Sequence, residues 1–259
     1  MPRTSRFAAL AVALCTSAAS AAEAACMAET YTTVCRDGAR ELRIIRDTVS
    51  PSGAYGVAWE VPTDGTAQEW ERNGEHDGSK LAGEYDGARR GAPIKNFLVR
   101  LSDGKLLRRL AGDHMGDHPF YNQREIVVTW SPDGRYVAIL HQTKWTTNVA
   151  DVHFVSEGAV SNTVSLRSIC RNITSAEVKK RQRKIHDEYL VGVNVSSVGN
   201  DDTITAKCTM EAPKRDNFEM GIRLRLMPRG GDLKAELLIT RMCGDDDERD
   251  ICANPPSRD

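Results

Sequence analysis

Short runs in which apolar and polar residues alternate recur along most of the chain, separated by turns rich in glycine, serine, proline and aspartate. Leu42, Ile44 and Ile45 precede Ser50-Pro51-Ser52-Gly53, and Tyr55, Val57, Trp59 and Val61 alternate after it. A period of two is that of a half-buried strand. Apolar residues return from Ile94 to Leu101, turn at Ser102-Asp103-Gly104, and continue through Leu106, Leu107 and Leu110. Asp-Gly between apolar runs signals a hairpin. A second set begins with Ile126, Val128 and Trp130, turns at Ser131-Pro132-Asp133-Gly134, and proceeds through Tyr136 to Leu140. That last run is apolar without alternation, as an inner strand covered on both faces would be. Val152 to Val155, the turn Ser156-Glu157-Gly158, and a return from Val160 to Leu166 complete the set. A third meander is expected from Tyr189 to Val195, Thr203 to Cys208, Phe218 to Leu226 and Leu233 to Thr240. Its turns fall at Gly199-Asn200-Asp201 and Arg229-Gly230-Gly231-Asp232.

The first two sets are copies of one plan. Serine opening the turn, proline second and glycine fourth suit a type I turn, because proline pre-sets its φ and glycine permits the exit. In the first set the next turn glycine trails by 51 residues (Gly53 to Gly104), and in the second by 24 (Gly134 to Gly158). The difference of 27 nearly equals the polar, glycine-studded stretch 62–92, which therefore reads as an insertion. The stretch Trp130-Ser131-Pro132-Asp133-Gly134-Arg135-Tyr136-Val137-Ala138 resembles the WD40-like repeat of TolB-type β-propellers. Leu98-Val99-Arg100-Leu101-Ser102-Asp103-Gly104-Lys105 is similar to the third-to-fourth-strand hairpin of such a blade, and the resemblance spans about residues 41–168. It implies four-stranded blades and no particular reaction, since propellers host binding proteins and enzymes alike. Propellers usually close with about four to eight blades. Two or three units, with an insertion and a helix, leave this chain short of a closed monomeric propeller. The expected class is all-β, with four-stranded antiparallel meanders and one short linker helix; a β-sandwich of the same hairpins is the alternative.

Arg3 and Arg6, the apolar run Phe7 to Ala13 and the small residues around Ala21 to Ala25 read as an export signal over residues 1–24. The remainder is expected to be one β-rich domain over 25–259. It divides into a blade-like unit 41–113 carrying the insertion 62–92, a second unit 124–168, a helical linker 171–187, a third meander 188–242 and a tail 243–259. Thr174-Ser175-Ala176-Glu177 fits a capping box for that helix. Its basic run Lys179 to Lys184 suits an acidic or phosphate-bearing partner, or else a solvated helix face. No run after the signal approaches the roughly 20 apolar residues of a membrane span.

Loss of residues 1–24 would remove Arg3, Arg6, Glu23 and Cys15, leaving 33 basic and 35 acidic residues and six cysteines. That balance argues against a nucleic-acid partner, which requires a basic footprint. An even cysteine count in an exported chain reads as a disulfide set, and places the protein in a secreted or periplasmic compartment. Spacing suggests Cys26 with Cys35, Cys170 with Cys208 and Cys243 with Cys252; a bridge between the termini, such as Cys26 to Cys252, is the rival.

Candidate chemistry is sparse. Asp113-His114-Met115-Gly116-Asp117-His118 sets Asp113, His114, Asp117 and His118 in a loop, a donor set suited to a divalent metal such as zinc. The bland alternative is a solvated loop, and no cofactor is otherwise expected. Trp70 in the insertion and Trp145 in a polar connection are candidate ligand-stacking residues, with core capping as the alternative. His141 and His153, on neighbouring strands, read as core histidines that could face each other. The acidic run Asp245 to Asp250 lacks the spacing of an EF-hand loop. Asn172-Ile173-Thr174 and Asn194-Val195-Ser196 are sequons. No nucleophile elbow, zinc-protease helix or phosphate loop is present in the sequence. The leading expectation is an exported binding module acting on a protein or envelope partner through blade faces and loops. A metal-assisted hydrolase using the loop 111–123, and a structural envelope component that forms homo-oligomers, are the competing readings.

Overall fold

The structure, a computed structural model, describes residues 26–28, 33–37, 40–45, 47–60, 95–111, 125–142, 146–180, 190–211, 218–243 and 252. The expected signal segment 1–24 and the expected insertion 62–92 lie outside them. About 65% of the described residues are in strands and there is one helix among them, so the all-β reading holds.

Three antiparallel sheets form in sequence order, every strand but one beside its neighbour in the chain. Sheet I runs β1 (Cys26–Ala28), β2 (Thr33–Asp37), β3 (Arg40–Ile44), β4 (Tyr55–Glu60), β5 (Asn96–Arg100), β6 (Leu106–Arg109). Sheet II runs β7 (Glu125–Trp130), β8 (Tyr136–Gln142), β9 (Thr147–Ser156), β10 (Ala159–Val160), with β11 (Val164–Ser165) also on β9. Sheet III runs β12 (Leu190–Val198), β13 (Thr203–Glu211), β14 (Phe218–Arg229), β15 (Asp232–Met242). None closes into a barrel.

Period-two alternation assigns the faces. On sheet II, Val137, Ile139 and Val155 face sheet I and pack with Ile45, Val57, Leu98 and Leu110. Their neighbours Tyr136, Ala138, Leu140, Ala150 and Val152 face the other way and join Ile204, Ala206, Ile222, Leu224 and Leu226 of sheet III. The non-alternating run Tyr136 to Leu140 is thus the middle of a three-layer stack, buried on both sides. A two-sheet sandwich does not describe this arrangement.

The internal repeat is visible bond for bond. In each Ser-Pro turn the glycine N–H donates to the serine carbonyl, Gly53 to Ser50 and Gly134 to Ser131, both at 2.8 Å. In each, the serine hydroxyl accepts the N–H of the tyrosine five residues on, Tyr55 at 3.1 Å and Tyr136 at 2.9 Å. Gly53 and Gly134 have φ of 70° and 72°, a region that only glycine enters freely. β4 and β5 close at Glu60 and Lys95, where the Glu60 N–H meets the Lys95 carbonyl at 2.9 Å. The insertion therefore springs from the same connection that residues 143–146 make between β8 and β9.

The sheets are clasped through these turns. Trp130 Nε1–H donates to the Thr48 carbonyl at 2.9 Å and its ring stacks on Tyr55. The Asp133 N–H donates to Asn200 Oδ1 at 3.0 Å, and the Tyr136 hydroxyl donates to Asp202 Oδ1 at 2.9 Å. Burial, then that hydrogen bond to a carboxylate, hold the Tyr136 phenol above its ordinary range.

Three expectations need correction. The helix, α1 (Leu166–Lys180), begins at Leu166 rather than at 171, and the expected residues 181–187 lie outside the described residues. Leu166, Cys170, Thr174 and Val178 fall one per turn on its buried face, so it is a core element rather than a linker. Thr174 is inside it, its hydroxyl donating to the Cys170 carbonyl at 2.8 Å, while Ser165 Oγ accepts the Ser168 N–H at 3.4 Å at the true start. The expected strand from Val160 to Leu166 is broken at Ser161 to Thr163, and its end feeds the helix. Sheet I also gains β1 and β2, whose three and five residues are too short to carry a clear periodicity.

Disulfides join Cys26 to Cys35 across β1 and β2, Cys170 of α1 to Cys208 of β13, and Cys243 to Cys252. The second closes a separation of 38 residues and the first only 9. Loop entropy then assigns about 4 kcal/mol to Cys170–Cys208 and about 2.5 kcal/mol to Cys26–Cys35. Urea unfolding of Cys170→Ala/Cys208→Ala is expected to show the larger loss, and of Cys26→Ala/Cys35→Ala the smaller.

Candidate functional site

The candidate metal loop and both candidate stacking tryptophans (Asp113, His114, Asp117, His118, Trp70 and Trp145) lie outside the described residues, as does the acidic run between Cys243 and Cys252. Among the described residues no group of three or more His, Cys, Asp or Glu is placed to hold a metal. The sequon at Asn172 lies within α1, with its Thr174 hydroxyl buried.

The described titratable groups of interest lie between sheets I and II. His141 and His153 share the face of sheet II turned toward sheet I, but they do not face each other. His141 is opposite Val149 and His153 opposite Val137, with the pair Ile139–Asp151 between them. His153 Nδ1 lies 3.4 Å from Thr163 Oγ1, and the Arg108 guanidinium reaches in from β6 to donate to the Ser161 carbonyl. Burial, reinforced by the Arg108 charge, lowers the His153 pKa to about 4. Burial raises the Asp151 carboxyl, and Arg108 partly offsets this. An imidazole neutral across the physiological range and closed between two sheets is a packing group, not a proton shuttle.

The edges of sheet III are treated unequally. β12 is sealed by side chains of sheet II. The Val193 N–H donates to Thr147 Oγ1 at 2.9 Å, Gln142 Nε2 donates to the Val193 carbonyl at 2.8 Å, and Thr146 Oγ1 donates to the Val191 carbonyl at 2.9 Å. β15, at the far edge, is anchored where it begins, the Asn162 N–H donating to the Gly231 carbonyl at 3.0 Å. From Lys234 to Thr240 no backbone hydrogen bond reaches its outward side from any described residue. Leu237, Leu238 and Ile239 are 44%, 37% and 44% exposed, three consecutive apolar side chains on an open edge. Soluble proteins ordinarily protect such an edge with charge, proline or a covering element.

A register shift in β15 shapes this edge. Leu224 is opposite Leu237 but Arg223 is opposite Ile239, so Leu238 is an extra residue. Beyond the bulge the faces exchange. Glu236 is opposite Arg225 and Arg241 is opposite Gly221, and those β14 positions, four apart, share a face. Glu236 and Arg241 therefore lie on one face of the sheet although five residues apart. Glu236 Oε2 also makes an exposed ion pair with Arg225 Nη1 at 3.7 Å. The arrangement offers backbone donors and acceptors, an apolar centre and flanking charges of opposite sign. Sequence reasoning singles out neither the edge nor its residues; the one signal for it is Leu237-Leu238-Ile239, an apolar triplet breaking the alternation of β15.

Comparisons with protein-family models, with curated proteins and with solved structures find no match to this chain.

The buried histidine has a measurable consequence. Between pH 6.5 and about 4 the unfolded chain takes up a proton at His153 that the folded one refuses, so stability falls on acidification through that window. The full effect is on the order of 3 kcal/mol. Denaturation midpoints measured across this range should fall less steeply for His153→Asn than for the wild type. Asp151, whose pKa is raised, has the opposite slope above pH 3.8, so Asp151→Asn should steepen the loss.

Proposed function

We propose that this chain is an exported, disulfide-tied binding module that takes an extended protein segment by strand addition at β15. One observation carries the reading: an eleven-residue edge strand whose outward backbone, from Lys234 to Thr240, takes no hydrogen bond from any described residue, with Leu237, Leu238 and Ile239 exposed along it. Strand addition draws affinity from main-chain hydrogen bonds and selectivity from the side chains beside them, which suits an edge that presents backbone groups and an apolar triplet. The three disulfides favour an oxidising compartment, and no described helix is long and apolar enough to cross a membrane. The resemblance of residues 41–168 to propeller blades agrees with a scaffold role for sheets I and II. On this reading the sealed β12 edge and the three-layer core hold sheet III rigid while the open edge engages the partner.

A photo-reactive benzoylphenylalanine at Leu238, illuminated in the producing cell, is expected to yield discrete protein adducts. The same probe at Glu157, on the exposed β9–β10 turn, is expected to yield none. Absence of adducts at Leu238, or equal adducts at both positions, would contradict strand addition at β15.

A further inference from the structure

We infer that the occupant of the β15 edge is β15 of a second copy of this chain, paired antiparallel about a two-fold axis. The inference rests on the strand-addition reading and adds the identity of the partner. Its carrier is the bulge. In a regular strand, residues an odd number apart lie on opposite faces, so a two-fold pairing can only set a residue opposite one an even number of positions away. The extra residue at Leu238 reverses this across the bulge. Face-matched partners are then Glu236 with Arg241, Leu237 with Thr240 and Ala235 with Met242, as the β14 registers require.

That register also matches the charges. It places Glu236 of each copy opposite Arg241 of the other, giving two reciprocal ion pairs on the same face, with Leu238 opposite Ile239 at the centre. The alternatives fail on the same facts. Centring the pair on Leu238 itself sets Glu236 opposite Thr240, which lies on the other face. Sliding one residue further toward the strand start sets Lys234 opposite Arg241, a like-charge pair, and sets Leu237 opposite Leu238 across the bulge. Of these three registers, only the first satisfies faces and charges together. The exposed apolar triplet, unfavourable on a lone edge, becomes the centre of the contact. Two four-stranded sheets would merge into one continuous sheet running β12 to β15 and back.

Sedimentation velocity on the full disulfide-bonded chain, from sub-micromolar to sub-millimolar concentration, is expected to show a reversible monomer–dimer equilibrium. Glu236→Arg and Arg241→Glu should each weaken it roughly tenfold or more, since each converts two attractive contacts into repulsive ones. An equimolar mixture of the two variants should dimerise again. The first variant carries arginine at both positions and the second carries glutamate at both, so every charged contact between them is attractive, and this rescue also shows that both variants are folded. A strict monomer at the highest concentration, or a dimer indifferent to both reversals, would overturn the inference. If the chain is monomeric while the Leu238 probe labels other proteins, self-pairing fails and strand addition stands. If the chain is monomeric and the probe labels nothing, both fail.

Discussion

The structure depends on the double burial of β8. Tyr136, Val137, Ala138, Ile139 and Leu140 are all almost fully excluded from solvent, odd-numbered residues against sheet I and even-numbered residues against sheet III. A strand apolar on both faces is stable only between two covers. Sheet I and sheet III are those covers, and each leaves part of itself unburied. What remains of sheet III after β8, β9 and α1 have taken its core face is its last strand, so the open edge at β15 follows from how the middle layer is satisfied.

Polar groups are managed by the same geometry. The stack buries Asn96, Ser131, His141, Thr147, His153 and Thr174. The threonine and serine hydroxyls are placed where they satisfy backbone groups: Ser131 on the Tyr136 amide, Thr147 on the Val193 amide, Thr174 on the Cys170 carbonyl. Such groups cost stability when left unpaired, and here they also tie one layer to the next. The turns contribute similarly. Asp133, which burial would raise, is held below the ordinary carboxylate range by hydrogen bonds from Ser131 and Arg135. Its neighbour Arg135 reaches across to the Asn200 carbonyl of sheet III at 3.2 Å.

Much of this is legible in the residues. The Ser-Pro-x-Gly turns announce hairpins because proline and glycine act on φ locally, without tertiary help. The run Tyr136 to Leu140 announces an inner strand because loss of alternation has few other causes. The glycine spacing locates the insertion between β4 and β5. The helix start differs from the sequence expectation because the local capping pattern at Thr174 is overridden: the tertiary requirement that Leu166, Cys170 and Val178 share a buried stripe extends α1 upstream. The two histidines stand apart because a sequence places strands side by side without fixing register, and two pairs of opposed residues would have to slip to bring His141 and His153 together. The β15 edge is hidden from the sequence for a related reason. Which strand ends a sheet, and whether a neighbour seals it, is decided by packing between layers. The candidate metal loop and the two candidate tryptophans lie outside the described residues, and the binding reading stands on the edge alone.

The proposed strand addition turns on one asymmetry among the described residues: they seal the β12 edge and leave the outward side of β15 without a backbone partner. Residue-resolved amide hydrogen exchange on the dilute chain tests it most directly. The Val193 amide, on an edge strand but bonded to Thr147 Oγ1, should exchange slowly. The outward amides between Lys234 and Thr240 should exchange orders of magnitude faster than their inward neighbours, which β14 holds. Outward β15 amides as protected as Val193 under dilute conditions would mean that the edge is already covered within the chain, and that β15 is not the binding edge.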